Sequence, residues 1–178
     1  HIDHSGYLPL LVKNGFRGGV YCAAAARDLG GILLPDAGHL QEEEAHYANK
    51  HGFSKHHKAL PLFTQKDALR ALKHLQPVAF GEQVLRGKDV SFQLLPAGHI
   101  LGAAIVTVTM KSRRLVFSGD LGRQNDSIMH GPVMPGAADF LVVESTYGNR
   151  LHAPGDAQKM LGAHVKRALN RGGVVVIP

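Results

Sequence analysis

At 178 residues and 44% hydrophobic content the chain is about one domain long and carries enough apolar side chain to bury a core. Twenty Lys+Arg against 14 Asp+Glu give a formal net charge of +6, which favours a polyanionic partner. No apolar run approaches the roughly 18 to 20 residues of a membrane span and no charged-then-apolar leader is present, so we expect a soluble, cytoplasmic protein with no membrane partner; a single cysteine excludes an intramolecular disulfide.

The chain opens on His1-Ile2-Asp3-His4, three potential metal ligands in one turn, two offering imidazole nitrogens and one a hard carboxylate oxygen. Four residues cannot close a metal site, so the remaining ligands must come from far along the chain. Ser5 as a cap and Asn14-Gly15 as a stop predict a short helix that leaves this turn directly, with the ligands at its N-terminus. Gly19 to Cys22 reads as a short buried strand, and Cys22, between Val20-Tyr21 and Ala23-Ala24, as a small buried hydrophobe rather than a nucleophile. A helix is expected from Ala23 to Leu34 with a weak point at Gly30-Gly31, and a restart at Pro35-Asp36-Ala37. His39 to Asn49 reads as a polar helix, and Lys50 to Lys58, with His51, His56 and His57, as an exposed loop.

Thr64 with Asp67 three residues on predicts a capped helix to about Gln76. From Pro77 the character turns to β: Pro77-Phe80, Glu82-Leu85, Val90-Leu95, Ala103-Met110 and Arg114-Ser118, with turn signals at Gly81, Arg86-Gly87-Lys88 and Lys111-Ser112. Alternation in Ile105-Val106-Thr107-Val108-Thr109 gives one face to the core, and the pieces together predict a largely antiparallel sheet with flanking helices, an α/β fold. Gly131 to Gly136 is a Pro/Gly loop, Phe140 to Val143 a buried strand, Asp156 to Asn170 a helix and Gly173 to Ile177 a strand. The first residue is His rather than Met and the last five are Val174-Val175-Val176-Ile177-Pro178, with no polar tail, which reads as an excerpt of a longer protein.

Three later positions set a ligand-type residue beside glycine at the end of an apolar strand: His99 in Gly98-His99-Ile100-Leu101-Gly102, Asp120 in Ser118-Gly119-Asp120, and Glu144 in Glu144-Ser145-Thr146-Tyr147-Gly148. Strand ends with small neighbours can aim side chains into a shared pocket. Taken singly, Asp120 is as readily a turn residue and His99 a satisfied loop histidine. Arg123 could reach a phosphate oxygen but more often makes a surface salt bridge, and Tyr147 can simply brace its loop.

In this order the motifs resemble the metallo-β-lactamase superfamily, whose His-x-His-x-Asp-His signature would place its first His two positions before His1. Glu144-Ser145-Thr146-Tyr147-Gly148, with Gly98-His99-Ile100-Leu101-Gly102-Ala103 and Ser118-Gly119-Asp120, looks like the β-CASP branch, RNA-processing nucleases related to the cleavage and polyadenylation endonuclease. The resemblance implies a partial αββα sandwich, with residues 1–150 the metallo-β-lactamase domain and 151–178 the start of the β-CASP cassette. It implies two Zn²⁺ ions, His1 and His99 on one, Asp3 and His4 on the other, and Asp120 bridging both. Asp3, Asp120 and Glu144 would then carry the catalysis. Two ions about 3.5 to 4 Å apart hold a bridging hydroxide and offset charge developing on a phosphoryl group. Glu144 would orient a histidine that protonates the leaving oxygen, and that histidine lies beyond Pro178. The implied function is zinc-dependent hydrolysis of single-stranded RNA, by endo- or exonucleolytic cleavage, with homo-oligomerisation open. The competing readings are a small-molecule metallo-hydrolase of the same fold, a catalytically inactive RNA-binding scaffold, and a DNA-directed relative.

Overall fold

Asp3 and His4 lie within a helix rather than in a loop ahead of one, with His1 as its N-cap. In the computed structural model, which describes residues 1–151 and 155–177, α1 (Ile2–Ser5) and α2 (Leu8–Lys13) stand where one helix is expected, with Gly6-Tyr7 between them. Ser5 does not cap. Its hydroxyl donates to the His1 carbonyl at 2.9 Å, which ties the first turn to itself. Tyr7 opens α2, and Pro9 sits in its first turn, where a missing N–H is harmless.

β1 (Val20–Cys22) is half-buried, not fully buried as expected. It leads into α3 (Ala24–His51), a single 28-residue helix that passes through Gly30-Gly31 and Pro35 where the sequence predicts a break and a restart. Proline inside a helix forfeits one backbone bond and costs about 3 kcal/mol, so tertiary packing must hold this helix. Leu34, buried with Phe63 and Ala68, supplies it, and Leu8, Leu10 and Leu72 close around that cluster. Lys50 and His51 end α3, so the expected loop starts only at Gly52. At Gly38 a β-carbon would stand 2.6 Å from the Gln65 amide, which is why the next helix can approach α3 so closely.

That helix, α4 (Gln65–Leu72), carries the expected reciprocal cap: Asp67 N–H donates to Thr64 Oγ1 at 3.2 Å and Thr64 N–H to Asp67 Oδ2 at 3.1 Å. It stops short of Gln76, because Leu75–Pro77 forms β2, a parallel partner for β1. Only Pro77 of the expected Pro77-Phe80 strand is therefore in a strand.

The main sheet contains β3 (Gln83–Arg86), β4 (Val90–Pro96), β5 (Ala104–Met110), β6 (Arg113–Phe117) and β7 (Phe140–Val142), in that spatial order. Its pairs are antiparallel except β6 with β7, which is parallel. A mostly antiparallel sheet with flanking helices is the expected α/β architecture. Ile105 and Thr107 are buried while Val106 and Val108 are half-buried, as the alternation predicts. Ala97, Ile105 and Val116 form the core under this sheet, with Leu95, Ala103 and Leu121 around them.

Two expectations fail in the same way. Phe140, Leu141 and Val142 of β7 are 57%, 61% and 57% exposed, not buried. β7 is an edge strand, and among the described residues only β6 pairs with it. Gly173 to Ile177 is no strand, and Val174 is 88% exposed. An extended run becomes a strand only where another strand pairs with it, and among the described residues none pairs with this one, whose Gly173 N–H donates to the Ala168 carbonyl at 2.9 Å. Pro178 lies outside the described residues.

The chain divides into two compact units, His1–Glu144 and Ser145–Pro178. The second contains α5 (Ala157–Asn170), capped by Asp156, whose Oδ1 accepts from the amides of Gln158 and Lys159 at 3.0 and 3.1 Å. No helix among the described residues is long and apolar enough to cross a membrane.

Candidate metal centre

Two turns at one end of the main sheet deliver His99 and Asp120. His99 lies in the β4–β5 turn, which closes through Ala97 N–H to the Ala103 carbonyl at 3.1 Å and Ala103 N–H to Ile100 at 3.0 Å. Asp120 lies just past β6, and the next turn is fastened to the first: Gly122 N–H donates to the Ala97 carbonyl at 2.8 Å. The two backbones are so close that a β-carbon at Gly122 would overlap the Gly98 carbonyl and stand 2.8 Å from the His99 amide. Only glycine fits there.

His1 and His4 reach this spot from α1. In the tautomer that carries its proton on Nε2, His1 donates to Asp120 Oδ2 at 2.7 Å and His4 donates to the same oxygen at 3.1 Å. His99 Nε2 stands 3.8 Å from it. The His1 ring lies edge-on to both others, with centroids 4.9 Å from His4 and 5.8 Å from His99. One carboxylate oxygen thus faces three imidazoles brought from positions 1, 4 and 99.

The ligand atoms of His1, His99 and Asp120 all lie within 4.8 Å of one another. Ligands of a tetrahedral ion with bonds of about 2.0 to 2.1 Å stand roughly 3.3 Å apart. From Oδ2 the His1 and His99 nitrogens stand at 2.7 and 3.8 Å, either side of that value, so His1, His99 and Asp120 suit one divalent cation in spacing and in chemistry. Asp3 is placed differently. Its Oδ2 is 3.6 Å from His1 Nδ1 and not from the Nε2 that faces Asp120, and its side chain is 78% exposed against 25% for His1.

Glu144 stands behind the cluster and not in it. Its Oε1 accepts from Leu121 N–H at 2.9 Å, next to Asp120, and its own amide donates to the buried Ser118 hydroxyl at 3.0 Å. Ser118 N–H in turn donates to the Val142 carbonyl at 2.9 Å. The ends of β6 and β7 are therefore laced together by Ser118 and Glu144, with Asp120 between them. Sequence reasoning assigns nothing to Ser118. The one signal for it is a hydroxyl residue ahead of Gly119-Asp120, but which strand it would meet depends on the β6–β7 pairing.

Cys22 is half-buried, and burial pushes its thiol pKa up against the smaller lowering effect of Arg27, so the group stays a neutral thiol. Arg123 helps depress the carboxyl of Asp126, after the amides of Met129 and Ile128, which bond it directly. The Tyr147 ring lies under the Arg150 guanidinium, 5.6 Å from its centroid, within the second unit. A cavity of about 580 Å³ opens beside the cluster, its floor formed by apolar side chains that include Leu33, Leu34 and Leu94.

Comparison with known proteins gives matches over the whole chain. It is 35% identical over 179 residues to a protein named Ribonuclease TTHA0252 from Thermus thermophilus, of which it spans 37%. It is 34% identical over 185 residues to Transcription termination factor FttA from Methanosarcina mazei, spanning 27% of that protein, and 28% identical over 181 residues to Cleavage and polyadenylation specificity factor subunit 3 from Dictyostelium discoideum, spanning 22%. The chain thus spans well under half of the length of these relatives. No family model matches it.

Proposed function

The chain belongs to the metallo-β-lactamase superfamily, in its β-CASP branch of RNA-processing nucleases, and from that premise we propose that the protein is a metal-dependent ribonuclease that hydrolyses phosphodiester bonds of single-stranded RNA. One observation supports this above the others: His1, His99 and Asp120, 119 residues apart at the extremes, present their ligand atoms within 4.8 Å. The net charge of +6 suits a phosphate backbone.

We assign two zinc ions to the full-length protein: His1, His99 and Asp120 would hold one, and His4, Asp3 and Asp120 would hold the other once the exposed Asp3 side chain turns to the cluster. Divalent ions bound there activate water at neutral pH and neutralise charge that builds on a phosphoryl group. Asp120 draws the imidazoles of His1 and His4 to one oxygen, so α1 and the sheet turns meet at a fixed point. Glu144 holds the backbone of Leu121 and thereby the direction in which Asp120 points. We further assign residues 1–150 to the metallo-β-lactamase domain and 151–178 to the start of the β-CASP cassette.

The apolar cavity beside the cluster favours a second reading, a hydrolase of small esters, thioesters or lactams. Substrate competition separates the two. The full-length protein should degrade single-stranded RNA, lose that activity to a chelator, regain it with a divalent ion, and leave a thioester and a chromogenic lactam untouched. Turnover of either small molecule without RNA cleavage would select the second reading. Bound metal below one ion per chain, with RNA still bound, would make the protein an inactive scaffold.

A further inference from the structure

At the end of α3 opposite the metal cluster, residues 45–66 contain Lys50, Lys55, Lys58 and Lys66, four histidines, and no Asp or Glu. This stretch is a built surface. Asn49 grips the loop at its base, its Nδ2 donating to the Ala59 carbonyl at 2.9 Å and its Oδ1 accepting the Ala59 amide at 2.8 Å. The Tyr47 ring packs at a tilt against His51 at 4.2 Å and Phe53 at 5.7 Å between centroids, and Tyr47 and Phe53 remain 57% and 63% exposed. Beside them runs an open groove of about 520 Å³, bordered by the exposed Leu60 and Leu62 and, on the α3 side, by Glu44, the one acidic residue in its lining. Among the described residues none of Lys50, Lys55 and Lys58 pairs with a carboxylate.

Solvated lysines alone would be an ordinary surface. Here they surround exposed rings, and a charged rim with open aromatic faces matches a polymer that is both anionic and able to stack. We infer that the loop and helix end spanning 47–62 form a second contact for single-stranded RNA, with Lys50, Lys55 and Lys58 on phosphates and Tyr47 and Phe53 as stacking faces. The inference rests on the ribonuclease reading of the metal cluster. An acidic protein segment suits the lysines but not the ring faces.

Geometry adds a condition on the substrate. Ala23 and Ala26, at the start of α3, line the cavity at the cluster, and the surface begins at the other end of a 28-residue helix. At about 1.5 Å per residue the helix rises ~32 Å from Ala26 to Tyr47. RNA must be long enough to span that distance, so an oligonucleotide of a few residues reaches one place and a long one reaches both.

The test uses full-length protein carrying either K50Q/K55Q/K58Q or Tyr47→Ala, whose side chains are exposed, with a melting curve as the folding control. Affinity is read by anisotropy in an Asp120→Asn background across a salt series, and cleavage in the active background on RNAs of about 5 and about 30 nucleotides. The lysine variant should weaken binding of the long RNA about tenfold or more and lower the slope of log K against log salt by about 2, since each phosphate contact on a single strand contributes about 0.7. Tyr47→Ala should weaken it about tenfold with little change in slope. Both should raise KM for the long RNA and leave kcat and the short RNA unaltered. Unchanged affinity and slope, equal losses on short and long RNA, or lost binding of polyglutamate with RNA binding intact would each overturn the inference. Active wild type with unaffected variants sinks this inference alone, whereas wild type that neither binds nor cleaves RNA sinks the ribonuclease reading as well.

Discussion

The metal cluster has two halves, and they are held in place by different means. His99 and Asp120 stand on turns whose neighbours Ala97, Val116 and Ser118 are buried, and whose backbones are joined by Gly122 N–H to Ala97 and by Leu121 N–H to Glu144. His1, Asp3 and His4 stand on a four-residue helix with no buried residue and no side-chain cap. Folding of the sheet therefore places the first half with or without an ion. The second half packs against α3 and meets the sheet turns at the oxygen of Asp120 and the edge of the His99 ring. Ion binding should thus order α1 far more than it orders the sheet turns.

Removing the shared contact tests this most severely. Asp120→Asn takes away the charge that His1 and His4 both face while leaving the lysine-rich surface intact. RNA cleavage should fall by more than about 100-fold, since loss of even an outer-shell partner of a metal costs 10- to 100-fold. Single-stranded RNA should still bind, measured by anisotropy, and retained cleavage would refute the assignment. Breaking the sheet half instead calls for Gly122→Ala. The added methyl meets the Gly98 carbonyl and the His99 amide, both backbone, so neither can swing aside. A loss of about 1 to 3 kcal/mol in urea unfolding is expected, the usual scale of overpacking. An undisturbed protein would mean that the two turns are looser than their hydrogen bonds imply.

The same contrast governs what could be read from the sequence. Thr64 and Asp67 are three residues apart and bond to each other, so the cap of α4 is written locally. The order of His1, His4, His99 and Asp120 along the chain, each at an element end, is legible from the residues alone, and folding brings these four together. Pro35 reads as a restart because its local penalty is plain while the burial of Leu34 against Phe63 and Ala68 is not. Phe140 to Val143 reads as a buried strand and Gly173 to Ile177 as a strand because both runs are apolar; the first forms β7 but stays exposed, and the second forms no strand. Whether such runs are covered depends on partners that composition does not encode. Ser118 is missed for the same reason, since its link to Glu144 exists only once β7 lies parallel to β6.

A smaller change probes the helix half by itself. The Ser5 hydroxyl donates to the His1 carbonyl at 2.9 Å and so ties α1 to the backbone of its N-cap residue. Ser5→Ala removes that bond and touches nothing in the sheet. A hydrogen bond of this kind contributes about 0.5 to 1.5 kcal/mol net, and on a short exposed helix the lower end applies, so the melting temperature should barely move. Affinity for a divalent ion, measured by titration against a competing chelator, should drop a few-fold because His1 must then be ordered by the ion. Were the melting temperature to fall while ion affinity stayed constant, α1 would be part of the folded core, and the division of the cluster into a placed half and a recruited half would be wrong.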